Sequence, residues 1–230
     1  MSAAIDPGEL TALVLAGGRG SRFGGIDKGL VRFAGQPLAA HVVSRLRPQA
    51  DTLLISANRN LPIYEQMGAR VLPDPPASAY GAATPRVEGR GAVSAAFDGP
   101  LVGWLAALQA ARTPWLLCAP CDTPFLPLDL AARLAAGMTA QNRIAYASTL
   151  VDGTLRQHYL CALIRCGGAA ERHALADDLA AYLRSGSRRV GSWQQRHMPS
   201  EVRFDEGRAF YNINDHALLA AARSAGSHPD

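Results

Sequence analysis

The sequence predicts an α/β protein of three layers, a mainly parallel sheet with helices on both faces. Three observations predict it. Short apolar runs of strand length recur along the chain, the first at 12–15 and the most uniformly apolar at 115–119. Segments with apolar residues at helical spacing separate them, as consecutive βα units require. Finally, Gly17-Gly18, Asn58, Asp74 and Asp122 each stand just beyond an apolar run, and ligands of open α/β sheets gather beyond the strand carboxyl ends.

The elements follow in order. The first strand, 12–15, empties into Ala16-Gly17-Gly18-Arg19-Gly20-Ser21-Arg22-Phe23-Gly24-Gly25-Ile26-Asp27-Lys28-Gly29. A short extended piece at 30–33 turns at Ala34-Gly35. Pro37 then opens a helix to about Leu46, with Leu38, His41, Val42, Arg45 and Leu46 at helical spacing. His41 on that face reads as packed or partly exposed, not as a ligand. The second strand, 52–56, runs into Ala57-Asn58-Arg59, a short helix follows near 63–67, and the third strand, 70–72, leads to Asp74. From 75 to 98, Pro, Gly, Ala and Ser prevail without periodicity, which predicts a long loop or disordered insertion.

Pro100 begins a helix whose apolar positions continue to Ala111. The fourth strand, 115–119, ends in Pro120-Cys121-Asp122-Thr123-Pro124. A helix at about 128–138 precedes strands at 144–149 and 159–165, with a turn at Asp152-Gly153 between them. Helices near 169–184 and 188–195, an extended piece at 200–204 and a last helix from about Asp215 complete the pattern. No internal repeat interrupts it. At 230 residues and 48% hydrophobic, the chain reads as a single domain over 1–230, with 75–98 as a flexible insertion.

The glycine-rich segment carries chemistry. Its glycines let main-chain N–H groups approach an anion where a Cβ would obstruct them, and Arg22 and Lys28 add fixed positive charge. Spacing excludes the P-loop, because Lys28 is followed by Gly29 and the Mg²⁺-binding hydroxyl is missing. A dinucleotide fingerprint also fails: Phe23 stands where the third glycine belongs, and the second strand ends without a ribose-binding carboxylate. The segment points to a nucleoside triphosphate.

Composition narrows the class. No apolar run is long enough to span a bilayer, and Met1-Ser2-Ala3-Ala4-Ile5-Asp6 lacks a basic segment followed by an apolar one, so a soluble, cytoplasmic protein with no membrane partner is expected. The net charge of +4 suits small anionic ligands as well as nucleic acid. Without a lysine-rich run, a stripe of stacking aromatics or zinc-finger spacing, no nucleic-acid partner is expected. Cys118 and Cys121 have the C-x-x-C spacing, and Cys161 with Cys166 could complete a zinc site. Cys118 nevertheless lies inside an apolar strand, and the second pair is badly spaced, so the cysteines read as core.

The doubly wound pattern brings the glycine loop, Ser56 to Asn58, Asp74 and Asp122 to one rim. A triphosphate there needs Mg²⁺, which commonly takes one or two carboxylates besides phosphate oxygens. Asp122 is the better placed, directly after a buried strand and fixed between Cys121 and Thr123-Pro124. Asp74 precedes Pro-Pro and is equally compatible with ordinary turn chemistry.

Leu15-Ala16-Gly17-Gly18, Arg22, Gly24-Gly25, Asp27-Lys28-Gly29-Leu30, Ala57-Asn58-Arg59, Gly99-Pro100-Leu101-x-Gly103, Pro120-Cys121-Asp122-Thr123-Pro124 and Asn212-x-Asn214 together resemble the molybdenum cofactor guanylyltransferases. The likeness runs over most of the chain. The glycine-rich start is shared with many sugar and cytidylyl nucleotidyltransferases; Asp27-Lys28-Gly29 and the context of Asp122 tilt the match to the guanylyl enzymes. The resemblance implies a Rossmann-like nucleotidyltransferase fold and Mg²⁺-dependent transfer of GMP from GTP to molybdopterin or Mo-molybdopterin, giving the guanine dinucleotide cofactor and pyrophosphate. It implies that Leu15, Ala16, Gly17, Gly18, Gly25, Ser56 and Gly103 contact the nucleotide, Lys28 the phosphates, Asp74 the nucleotide or its metal, and Asp122 the Mg²⁺. Arg188, beside Arg189, and Asn212 and Asn214 would face the acceptor.

By the same resemblance Arg22, Lys28 and Asp122 are the catalytic set, and transient contact with other cofactor-biosynthesis or target enzymes follows. No nucleophilic side chain is needed, since an acceptor phosphate oxygen attacks the α-phosphorus in line and the site supplies position and charge. Lys28, read as a phosphate ligand, is expected to be replaceable by Ala without loss of stability. The chain departs from the family in having Ser56 where Asn is frequent, Tyr159 where Pro is expected, and the 75–98 segment. A related enzyme using CTP or a sugar-phosphate acceptor, and a non-catalytic GTP-binding protein, are the alternative readings.

Overall fold

The computed structural model describes residues 5–18, 27–80 and 99–213. Arg22 and Gly25 of the glycine loop, positions 81–98 of the insertion, Asn214 and the last helix read from the sequence lie outside the described residues. In chain order the elements are β1 (Leu10–Leu15), β2 (Arg32–Phe33), β3 (Gln36–Pro37), α1 (Leu38–Leu46), β4 (Thr52–Ser56), α2 (Leu61–Glu65) and β5 (Arg70–Leu72). Then follow α3 (Pro100–Ala110), β6 (Trp115–Pro120), α4 (Leu130–Ala136), β7 (Ile144–Val151), β8 (Thr154–Arg165), α5 (Ala169–Arg184), α6 (Val190–Gln195) and β9 (Ser200–Phe204).

β1 is buried along its whole length, so both of its faces must be covered, and a nearly continuous apolar run is what such a strand needs. Its one polar residue, Thr11, shares a hydrogen bond of 2.7 Å with the Thr113 hydroxyl. β1 pairs in parallel with β4 and β6. The seven-stranded order is β5-β4-β1-β6-β8-β7-β9, and β2 with β3 forms a separate ribbon. Within the large sheet β8 alone runs against its neighbours. The sheet is thus mainly parallel, with helices on both faces, as the sequence predicts.

α1 and α4 cover one face; α3, α5 and Trp193 of α6 cover the other. α3 is apolar around its circumference, and eight of its 11 residues are buried, because it lies between the sheet and α5. Trp104 and Trp193 meet edge to face at 5.8 Å, and the Trp193 indole donates to Asp178 at 2.9 Å. Trp193→Ala should therefore cost about 3–5 kcal/mol, read as a lowered urea midpoint at unchanged slope.

Two strands run longer than their sequence pattern suggests. Asp152 (φ +50°) and Gly153 (φ +73°) both adopt the left-handed region, as a two-residue hairpin turn requires, and β8 begins directly after them. Residues 154–157 are exposed, so no buried alternation marks them as strand. Pairing with β7 then jumps: Tyr146 opposes Ala162, but Ala147 opposes His158. Tyr159, Leu160 and Cys161 fall inside this irregularity, and irregularities of that kind bend a strand and re-aim its side chains.

Candidate active site

Backbone bonds continue past the strand ends. Ala16 N donates to Ser56 O at 2.8 Å, Cys121 N to Leu15 O at 3.0 Å, and Ala57 N to Leu72 O at 3.0 Å. The rim is consequently assembled. Leu15, Ala16, Gly17, Gly18, Lys28, Ser56, Asp74, Gly103 and Asp122 all line one cavity of about 330 Å³. Gly103 serves close packing as well, since a Cβ there would lie 2.6 Å from Ser56 Oγ and 2.8 Å from Leu15 Cδ2. That approach brings the amino end of α3, with the positive pole of its dipole, to the cavity wall.

Lys28 Nζ and Asp122 Oδ2 form an ion pair between the loop and the end of β6. The other carboxylate oxygen, Asp122 Oδ1, is buried and accepts no hydrogen bond among the described residues. The backbone around it is fixed: Thr123 Oγ1 donates to Pro120 O at 2.9 Å, and Ile213 N donates to Asp122 O at 2.9 Å. Asp74 is held by Asn58, whose Nδ2 donates to Oδ2 at 2.7 Å while its Oδ1 accepts from Asp74 N at 2.8 Å. Ser56 Oγ lies 3.4 Å from Asp74 Oδ1.

These oxygens fit a hard divalent cation. An unpartnered buried carboxylate oxygen is a site that a cation compensates, and Mg²⁺ takes one or two carboxylates and completes its shell with phosphate and water. No group of three His, Cys, Asp or Glu side chains that could cage a metal occurs among the described residues. The four cysteines are buried and free, and burial pushes every one of these thiols up, which disfavours the reactive thiolate.

A second cavity of about 630 Å³ adjoins the first, sharing Pro100, Pro120 and Leu160 with it. Gln157, His158, Tyr159 and Cys161 at and beside the irregular stretch of β8, Arg189, Val190, Gly191, Ser192 and Gln195 around α6, and Asn212 complete its lining. Asn212, which the sequence reading assigns to the acceptor, is part of this lining. Arg188 does not line the cavity; its guanidinium donates to Leu183 O at 2.7 Å and Ser187 O at 2.9 Å, closing the carboxyl end of α5. Arg189 is the member of the pair that reaches the cavity. Ser192 and Gln195 carried no local signal, since a bulge and a short helix far apart in sequence bring them beside His158.

His158 bonds Thr149 Oγ1 at 2.9 Å and stacks on Phe210 at 4.8 Å. Burial, reinforced by Arg156, lowers its pKa from 6.5. The unfolded chain therefore takes up this proton at higher pH than the native one does. Its contribution is fully present above pH 6.5 and is lost as pH falls toward the folded value. Chemical-denaturant stability should fall from pH 7 to about pH 5.5, with a smaller fall in His158→Gln.

Residues 12–197 match the family model described as MobA-like NTP transferase domain; the fold and its rim cavity accordingly define a nucleotidyltransferase. The chain belongs to the molybdenum cofactor guanylyltransferase family and takes part in nucleotidyl transfer in molybdenum cofactor biosynthesis. It is 45% identical to the molybdenum cofactor guanylyltransferase of Burkholderia ambifaria over 228 residues, 97% of this chain and 100% of that one. With the protein of the same name from Ralstonia nicotianae, identity is 46% over 217 residues, 94% of this chain and 96% of the relative. The crystal structure of molybdopterin-guanine dinucleotide biosynthesis protein A from Archaeoglobus fulgidus shares the fold, with a TM-score of 0.61, 20% identity, and coverage of 94% and 98% of the two chains.

No helix among the described residues is long and apolar enough to cross a membrane.

Proposed function

We propose that the protein transfers GMP from GTP to molybdopterin in a Mg²⁺-dependent reaction in the cytoplasm, releasing pyrophosphate. The observation that carries this reading is the pair of adjoining cavities with a common wall at Pro100, Pro120 and Leu160. The smaller, lined by glycines, Lys28 and Asp122, takes the triphosphate. The larger, with Arg189 and Asn212, takes the acceptor, and its phosphate then meets the α-phosphorus at the common wall.

In the reaction an acceptor phosphate oxygen bonds the α-phosphorus in line while the bond from that phosphorus to the bridging oxygen breaks, and pyrophosphate leaves with the electron pair. Leu15, Ala16, Gly17, Gly18, Gly25, Ser56 and Gly103 hold the nucleotide, and Lys28 and Arg22 bear on the charge growing on the leaving group. Asp122 would hold Mg²⁺, Asp74 would contact the nucleotide or the same ion, and the ion would neutralise phosphate charge. Arg189 balances the acceptor phosphate, Asn212 and Asn214 engage the pterin side, and Arg188 supports that wall through the end of α5. Transient contact with other cofactor-biosynthesis or target enzymes accounts for delivery of the product.

The test is pyrophosphate release by purified protein given molybdopterin and GTP, CTP or UTP, with and without Mg²⁺. Release with GTP that needs both molybdopterin and Mg²⁺ is expected. Preference for CTP would replace the guanylyl assignment, and GTP binding without release would leave a binding protein.

A further inference from the structure

Asp27 is 5% exposed but lines neither cavity. Its carboxylate faces the segment after β4 instead. Oδ1 accepts from Tyr64 OH at 2.6 Å, Oδ2 accepts from Asn60 Nδ2 at 3.0 Å, and Arg59 Nε lies 3.6 Å from the same oxygen. Arg59 also donates through a terminal nitrogen to Gly18 O at 3.3 Å. Gly18 and Asp27 are the two stems of the glycine loop. One guanidinium ties both.

The far side of Lys28 is constrained as well. Gly29 lies on the ring of Tyr64: a Cβ there would collide with the hydroxyl and come within 3.2 Å of Cε1 and Cζ. Lys28 therefore sits between a carboxylate that is anchored and a glycine that is pressed against the same anchoring residue. Tyr64 itself is completely buried on α2. Burial, with the bond to Asp27, pushes its pKa up, so its hydroxyl remains a donor at any working pH.

We propose that Tyr64 and Arg59 are positioning residues for the donor's polyphosphate: through Asp27 they clamp both stems of the glycine loop and set where the Lys28 ammonium meets the β- and γ-phosphates. This rests on the reading of the smaller cavity as the GTP site. A carboxylate adjacent to a phosphate-binding lysine would repel the polyanion if it faced the cavity. Two hydrogen-bond donors, Tyr64 and Asn60, and the Arg59 guanidinium at 3.6 Å hold it on the opposite side and offset the cost of burying it. A merely structural role would not require those donors to converge on the stems of the loop; an apolar contact at Tyr64 would pack α2 equally well.

The test is calorimetric affinity for GTP and for GMP in the parent, Tyr64→Phe and Arg59→Lys, with melting temperatures measured without nucleotide. Tyr64→Phe keeps the ring and removes the donor; Arg59→Lys keeps the charge and removes the bridge. Each should weaken GTP about tenfold while GMP, lacking the phosphates that Lys28 meets, stays within about twofold of the parent. In turnover the loss should appear in KM more than in kcat. Against an Asp27→Asn background, Tyr64→Phe should add little, because the two act through one contact. Equal weakening of GTP and GMP, or a lowered melting temperature with an unchanged ratio of affinities, would overturn the proposal. A parent protein that fails to bind GTP would instead sink the donor-site reading, so the two failures are distinct.

Discussion

The Asp122→Asn protein is expected to fold, to bind GTP at least as tightly as the parent, and to turn over about a hundredfold or more slowly. The substitution preserves volume but removes the negative charge that engages Lys28 through Oδ2 and whose Oδ1 is buried without a hydrogen bond among the described residues. Both consequences matter. Loss of the charge weakens any divalent cation held there, and with it the stabilisation of the leaving phosphates. It also frees the Lys28 ammonium from its competing carboxylate, so the triphosphate gains a stronger contact in the ground state. Affinity and turnover should move in opposite directions, a signature that simple damage to the site would not produce. Calorimetry with GTP in the presence and absence of Mg²⁺, beside steady-state pyrophosphate release, reads both; full Mg²⁺-dependent turnover in Asp122→Asn would remove the metal role.

Lys28→Ala should weaken GTP by roughly ten- to a hundredfold, the worth of a charge-assisted bond to phosphate. The ion pair changes what the sequence suggests about stability. Side-chain exposures of 20% for Lys28 and 12% for Asp122 place the pair largely out of solvent, where removing Lys28 leaves the Asp122 carboxylate poorly compensated. A drop of a few degrees in melting temperature is now expected, in place of the unchanged value that a solvated lysine would give. Lys28→Ala combined with Asp122→Ala should recover that stability but not the affinity. Recovery of affinity in the double variant would mean that repulsion by Asp122, not loss of the lysine, had weakened the single one.

Much of the fold was legible because the central strands are buried on both faces. β1, β4 and β6 need uninterrupted apolar runs, and the chemistry-bearing residues directly after them fall on one rim by the winding rule. Gly17, Lys28, Ser56, Asp74, Gly103 and Asp122 meet at one cavity for that reason. β8 was harder to see. Its outer half is exposed, so its strand character comes from the ladder with β7 and not from its own hydrophobic pattern. Arg188 and Arg189 are indistinguishable as neighbouring basic residues; the end of α5 takes one and the cavity takes the other.

The order of apolar runs and helical stripes was sufficient by itself to determine a doubly wound sheet with glycines beyond the first apolar run and a carboxylate beyond the fourth, because burial and period are local properties. Tertiary structure decided what depends on two distant segments meeting. Into that class fall the adjoining cavity opened where β8 loses register with β7, the partner that Asp122 offers Lys28, and the turning of Asp27 away from both cavities toward Tyr64 and Arg59. Each is a pairing energy between side chains or strands far apart in the chain, and no window of sequence contains it.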